Sequence, residues 1–210
     1  MRSTAGVPPP QPLLLPDVRR IVAIGASAGG LHSLLQLFTV LPEVLPCVFL
    51  VATHLRDQSK SMMPELIRRI CSMKVIPACQ IALQSSTVYV SCPGTHLTVK
   101  GGEIRLLTTP PIRFLRPNID LLFQSVAETF GERSVGVILS GMGHDGSEGL
   151  RAIKDVGGTT LIEDPETAEF PEMPRSALRT ECVDWVLSSD KIGDTLVNLC
   201  AEPSPFRNDR

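Results

Sequence analysis

Apolar residues in this chain follow two alternating patterns, and the alternation predicts the fold. Ile21-Val22-Ala23-Ile24, Cys47-Val48-Phe49-Leu50-Val51-Ala52 and Val135-Gly136-Val137-Ile138-Leu139 are continuous apolar runs with no polar side. Strands read this way when helices cover both faces of a parallel sheet. Between the first two runs, Leu31, Leu34, Leu35 and Phe38 recur at helical spacing, which predicts a helix from Leu31 to Leu41 closed by Pro42. Further helices are expected from about Ser61 to Cys71, from Asn118 to Phe130, up to Lys154 and in a last segment to about Leu199. Strands are expected at Thr159 to Ile162 and near Trp185, with a loop through Pro174 between them.

The stretch from Val75 to Leu107 differs in character. Short β-prone pieces, Thr87 to Ser91, Leu97 to Val99 and Glu103 to Leu107, are separated by Pro93-Gly94 and Gly101-Gly102, a pattern that suggests an antiparallel hairpin. The expectation is an α/β fold of three layers: a mainly parallel sheet, helices on both faces, and an inserted antiparallel hairpin.

A chain of 210 residues holds one sizeable core, so a single domain over 19–201 is expected between a Pro-rich flexible tail (1–18) and a polar tail (202–210). The Leu13-Leu14-Leu15 run near the N-terminus is too short for a signal-peptide core, and no apolar run is long enough to span a membrane. A net charge of −2 offers no basic field to nucleic acid or to an anionic membrane. The six cysteines form no C-x-x-C pair and read as reduced cytoplasmic thiols, with no metal site and no cofactor implied.

Candidate chemistry collects where strands end. Gly25-Ala26-Ser27-Ala28-Gly29 fits the G-x-S-x-G elbow, in which small neighbours let the chain turn sharply and expose the serine hydroxyl. The plain alternative is a Gly-rich turn that packs a helix on a strand. A phosphate cradle is disfavoured, because there is no Walker lysine and no G-x-G-x-x-G with an acidic residue at the expected distance. His54 follows the second apolar strand, and Asp145 lies in the Gly-rich turn Ser140-Gly141-Met142-Gly143-His144-Asp145-Gly146 after the third. Loops at the carboxyl ends of parallel strands form the ligand crevice. A serine needs a base, and an imidazole base needs a carboxylate to orient it. Ser27, His54 and Asp145 fill those roles, although Asp145 also suits the N-cap of the helix that follows it. Of the other histidines, His32 is expected on a solvated helix face, His96 at the surface or near substrate, and His144 in the turn beside Asp145. The Met142 amide could donate to an oxyanion, or Met142 could simply pack.

With Arg116-Pro117-Asn118-Ile119-Asp120 and Phe170-Pro171-Glu172-Met173-Pro174-Arg175-Ser176-Ala177 added, these motifs resemble, in order and interval, the catalytic domain of the chemotaxis protein-glutamate methylesterase family, CheB. The similarity covers about Arg19 to Leu199. The resemblance implies hydrolysis of glutamate methyl esters on chemoreceptors with release of methanol, and deamidation of receptor glutamines. It implies Ser27 as nucleophile, His54 as base, Asp145 as its carboxylate and the Met142 amide in an oxyanion hole. Three local departures stand out: Thr53-His54-Leu55-Arg56 where the family has Gln-His-Met-Pro, Ala28 in place of a threonine, and Glu172 in place of a glycine. With Ala28 lacking a hydroxyl, the oxyanion hole is expected to rest on backbone amides, those of Ala28 and Met142. No receiver domain precedes Arg19 in this sequence, so a stand-alone form is expected, with chemoreceptors as partners and any response regulator of the phosphorelay acting in trans. The rival expectation is a catalytically silent receptor-binding adaptor of the same fold.

Overall fold

The computed structural model describes residues 15, 17–54 and 62–201. In chain order the elements are β1 (Arg20–Ala26), α1 (Gly30–Thr39), β2 (Cys47–Thr53), α2 (Met63–Arg68), β3 (Lys74–Pro77), β4 (Thr87–Val90), β5 (His96–Lys100), β6 (Glu103–Leu107), α3 (Ile119–Phe130), β7 (Ser134–Ile138), α4 (Ser147–Asp155), β8 (Thr159–Glu163), α5 (Glu172–Leu178), β9 (Trp185–Leu187) and α6 (Ser189–Ala201). Seven strands form one sheet in the order β3-β4-β2-β1-β7-β8-β9, and each neighbouring pair is parallel. β5 and β6 pair antiparallel as a separate ribbon. The three-layer α/β fold with an inserted hairpin is therefore as expected.

The apolar runs are buried because alternate residues feed two cores. From β1, Ile21 and Ala23 pack with Ile119, Phe123 and Val126 of α3, and Val22 and Ile24 pack with Leu34, Leu37 and Phe38 of α1. α1 and α6 cover one face and α3 and α4 the other, leaving every residue of β2 buried.

Four expectations need correcting. Thr87 to Val90 is not part of the hairpin: it inserts between β2 and β3 as a buried, parallel strand of the main sheet. Its alternation was short enough to fit either role. The segment expected to be a loop through Pro174 contains α5, because Pro174 lies in the first turn of that helix, where no intrahelical N–H is required. On α1 the buried stripe is Leu34, Leu37 and Phe38, while Leu31 is exposed. His96, expected at the surface or near substrate, is fully buried under α3. The expected start of the second helix at Ser61 lies outside the described residues, as do Leu55 and Arg56 and nearly all of both tails; Val18 is buried in the core.

Candidate active site

β1 and β7 are adjacent, but the chain leaves β1 towards β2 on one side and leaves β7 towards β8 on the other. That divergence is a topological switch point, where the carboxyl-end loops of an α/β sheet open a crevice. The register sets Ala26 beside Thr53, and the His54 N–H donates to the Ala26 carbonyl at 3.2 Å. On the other side, the Ser27 N–H donates to the Ser140 carbonyl at 3.0 Å. Ser27, His54 and the Ser140-Gly141-Met142 turn thus start from neighbouring backbone positions. Two glycines make the approach possible. Gly29 has φ 72°, and a Cβ there would lie 2.7 Å from Ser140 Oγ; a Cβ on Gly141 would strike the Met173 side chain and lie 2.8 Å from Ser27 Cβ.

His54 Nε2 lies 2.8 Å from Asp145 Oδ2. An ionised carboxylate can only accept, so in the neutral ring Nε2 carries the proton and Nδ1 keeps the lone pair. Asp145 is 3% exposed and accepts three more hydrogen bonds: from Asn118 Nδ2 (2.8 Å), the Ile119 N–H (2.7 Å) and the Asp120 N–H (3.1 Å). Burial acts to raise its pKa, but the His54 contact and the Ile119 and Asp120 amides outweigh burial and hold the carboxyl below its ordinary value. The capping expectation is corrected by this geometry. Asp145 caps α3, whose first amides it accepts, whereas α4 begins at Ser147 with Gly146 as its N-cap and no side-chain cap.

Ser27 is half-buried, and its hydroxyl makes no hydrogen bond to His54. Nucleophile and base often close to bonding distance only when substrate arrives. Among the described residues neither the Ala28 N–H nor the Met142 N–H has a protein acceptor, and Met142 is 51% exposed. One follows Ser27 in the chain and the other lies in the turn whose Ser140 carbonyl accepts from the Ser27 N–H.

The other histidines stand apart. His32 is exposed on α1. His96 accepts from the Asn118 N–H through Nδ1 (3.2 Å) and donates through Nε2 to the Pro110 carbonyl (3.2 Å), a satisfied buried ring. His144 is exposed, with Nε2 3.5 Å from Arg113 Nη1.

Sequence reasoning missed a supporting ring of polar groups. Asn118 holds Asp145 while its own Oδ1 caps Leu121 N at 2.9 Å; its place in the Arg116-Pro117-Asn118-Ile119-Asp120 motif, just before a helix, was the available signal. The Asp120 carboxylate accepts from the Gly149 N–H at 2.8 Å. Burial, and beyond it the charge of nearby Asp145, pushes its pKa up to about 6. Behind the elbow, buried Glu163 accepts from Ser33 Oγ (3.0 Å) and the Ser140 N–H (2.7 Å), and burial raises its pKa. Ser140 Oγ in turn donates to the Ala28 carbonyl (3.0 Å) and accepts from the Phe170 N–H (3.0 Å). Beside Asp145 opens a cleft of about 330 Å³, with Arg113, Asn118, Asp120, Met142 and His144 in its walls. No group of side chains suited to a metal ion occurs among the described residues.

The sheet thus brings a serine, a histidine–carboxylate pair and amides with no described acceptor to its switch point, the parts that serine hydrolases use. The chain belongs to the CheB methylesterase family, whose model matches residues 22–196. A Leptospira interrogans relative is 33% identical over 180 residues, 85% of this chain and 93% of its own length. Protein-glutamate methylesterase FrzG of Myxococcus xanthus is 33% identical over 92% of this chain, which spans 57% of that protein. The crystal structure of the Thermotoga maritima CheB methylesterase catalytic domain superposes with a TM-score of 0.82 at 30% identity, covering 86% of this chain and 98% of that one.

Proposed function

We propose that the protein is a serine-dependent protein-glutamate methylesterase that removes methyl groups from glutamate methyl esters of chemoreceptors and deamidates receptor glutamines. The observation that carries this reading is the contact of His54 with the buried Asp145 at the switch point, next to a serine on a glycine-bounded elbow.

In the proposed mechanism Ser27 Oγ attacks the ester carbonyl carbon while its proton passes to His54 Nδ1. The carbonyl oxygen, now negative, takes hydrogen bonds from the Met142 and Ala28 amides; donors of this kind contribute about 3–4 kcal/mol to the transition state in serine hydrolases. His54 returns the proton to the methoxy oxygen, methanol leaves, and a glutamyl-serine ester remains. Water then attacks that ester, His54 takes the water's proton and gives it to Ser27, and the glutamate carboxylate is released. A glutamine side chain follows the same course with ammonia leaving. Asp145 stabilises the imidazolium formed in each half-reaction.

The catalytic unit in this reading is residues 19–201, its setting is the cytoplasm, and its partners are methyl-accepting chemoreceptors, with any phosphorelay control exerted by a response regulator in trans. The test is methanol release from methylated receptor membranes by the purified protein. The wild type should release methanol and Ser27→Ala should not; normal release by Ser27→Ala would reject the reading.

A further inference from the structure

Three of the four donors that hold Asp145 come from one short segment: Asn118 Nδ2, the Ile119 N–H and the Asp120 N–H. The place of the carboxylate is therefore set by the place of residues 118–120, and that depends on what holds the segment from behind. Asn118 is buried, and each of its polar groups is engaged. Nδ2 donates to Asp145, Oδ1 accepts from the Leu121 N–H, and the carbonyl accepts from the Leu122 N–H at 3.4 Å. The remaining group, the backbone N–H, donates to His96 Nδ1 at 3.2 Å. That acceptor comes from a distant part of the chain, the first residue of β5 in the inserted hairpin.

The His96 ring faces two groups of fixed character. A backbone N–H can only donate and a carbonyl can only accept, so Nδ1 turns its lone pair to Asn118 and Nε2 gives its proton to the Pro110 carbonyl. The strand that carries the ring is itself fastened to α3 further along. The Val99 N–H donates to Ser125 Oγ at 3.1 Å, Thr129 Oγ1 donates to the Val99 carbonyl at 3.4 Å, and Leu97 and Val99 share a core with Ile119, Leu122 and Val126. Hydrogen bonds thus run without a break from Pro110 through His96, Asn118 and Asp145 to His54. Without the imidazole acceptor the buried Asn118 N–H has no partner, and the segment can regain one only by moving. Such a movement takes Asn118 Nδ2 and the two amides away from Asp145.

We propose that His96 is a positioning residue for the hydrolysis: it acts through Asn118 to hold Asp145 where that carboxylate orients His54, and the inserted hairpin serves the reaction by carrying this acceptor. The inference rests on the esterase reading above. His96 is fully buried and lies outside the walls of the cleft beside Asp145, so its effect falls on the chemical step and not on substrate binding. A misplacement of about 1 Å in a catalytic site can cost about 10²-fold in rate, and making the orienting aspartate of a serine protease an amide costs about 10⁴-fold. Losing the His96 acceptor shifts Asp145 without removing it, so the loss should be nearer the smaller figure.

The test compares two variants of the full chain. In His96→Asn, Oδ1 takes the place of Nδ1, so the acceptor for Asn118 stays while the donor to Pro110 is lost. His96→Phe keeps a ring and loses both. Urea unfolding, methanol release from methylated receptor membranes and the rate of fluorophosphonate labelling at Ser27 are measured on each. Both variants should unfold at lower urea than wild type. His96→Asn should nevertheless keep kcat within about threefold, whereas kcat of His96→Phe should fall at least about tenfold, with KM within about twofold of wild type in each and labelling rates following kcat. That separation marks a positioning role, because a residue needed for stability alone would not spare the turnover of one destabilised variant and lower that of the other. A folded His96→Phe that keeps kcat within about threefold overturns the proposal, and so does a His96→Asn as slow as His96→Phe. A loss confined to KM would make His96 a binding residue and overturn it as well. Should His96→Phe not fold, His96→Met takes its place, since that flexible apolar chain fills irregular gaps; failure of both to fold while His96→Asn folds would assign His96 to stability alone and overturn the proposal. A wild type that labels at Ser27 but releases no methanol refutes the methylesterase reading instead, and the labelling rates still report on His96.

Discussion

Replacing Asp145 by asparagine removes one charge and almost no volume, and the structure states what the amide must then do. Each carboxylate oxygen accepts two donors: Oδ1 takes Asn118 Nδ2 and the Asp120 N–H, and Oδ2 takes His54 Nε2 and the Ile119 N–H. An asparagine NH₂ can replace only one of these oxygens, and on either side it would face donors. Asn118 cannot rotate to accept, because its Oδ1 already holds Leu121 N. His54 can adapt by changing tautomer. The NH₂ therefore turns towards His54, Nε2 becomes the acceptor, and the proton moves to Nδ1, the nitrogen that should receive the Ser27 proton.

The Ile119 N–H is then buried without an acceptor, which costs about 1–3 kcal/mol, and the helix loses an anion at its N-terminus, worth about 0.3–1 kcal/mol. The variant should thus be roughly 1–4 kcal/mol less stable at neutral pH and still folded. Its kcat should fall about 10⁴-fold, the size of the loss when the corresponding aspartate of a serine protease is made an amide. Acid should narrow the stability gap. The unfolded chain takes up the Asp145 proton before the folded one does, so the wild type's advantage is complete above the ordinary aspartate value and is lost as pH falls through the depressed folded value. Methanol release and urea unfolding at several pH values measure both effects. A folded Asp145→Asn protein that keeps more than about a tenth of wild-type kcat would refute the tautomer argument.

Other consequences can be checked in the same assays. Asp120 has the opposite sign: the folded chain keeps its proton up to about pH 6, while the unfolded chain loses it near pH 4, so ionisation destabilises the fold as pH rises across that interval. Asp120→Asn, which can still accept from Gly149 N, should therefore raise Tm at pH 7.5 and leave it nearly unchanged at pH 4; a lower Tm at pH 7.5 contradicts this. Glu163→Gln keeps an acceptor for Ser140 N and should hold kcat within about threefold, whereas Glu163→Ala leaves that buried amide unpaired, costing about 1–3 kcal/mol, and should lower kcat more than about tenfold. Equal kcat values for the two variants would show that Glu163 does not hold the turn. His54→Ala and Ser27→Ala should each cost about as much as the double variant, since such residues act as a unit; a double variant far slower than either would argue against cooperation.

The strands that carry the site were legible because a sheet buried on both faces demands uninterrupted apolar runs, and Ile21 to Ile24, Cys47 to Ala52 and Val135 to Leu139 have few other uses. The elements that misled were those whose local pattern is ambiguous. Thr87 to Val90 is too short to reveal which sheet it joins, and Pro174 signals an end to a helix unless its place in the first turn is known. The positions of Ser27, His54 and Asp145 after strands could be read from the chain, since carboxyl-end loops of parallel strands converge. That Asp145 would cap α3 rather than α4 could not be read, because the cap crosses from residue 145 back to residues 119 and 120. His96 shows the same limit: a histidine in a hairpin carries no sequence mark that separates an exposed ring from one held between Asn118 and Pro110.

The central claim is that Ser27 is a nucleophile made reactive by the His54–Asp145 pair. The most direct measurement is mass spectrometry of the purified chain after treatment with a fluorophosphonate, which labels activated serines. The account predicts one adduct, on the peptide containing Ser27, forming far more slowly in His54→Ala. An unlabelled Ser27, an adduct on Ser140 or another serine instead, or labelling at the same rate without His54 would contradict it.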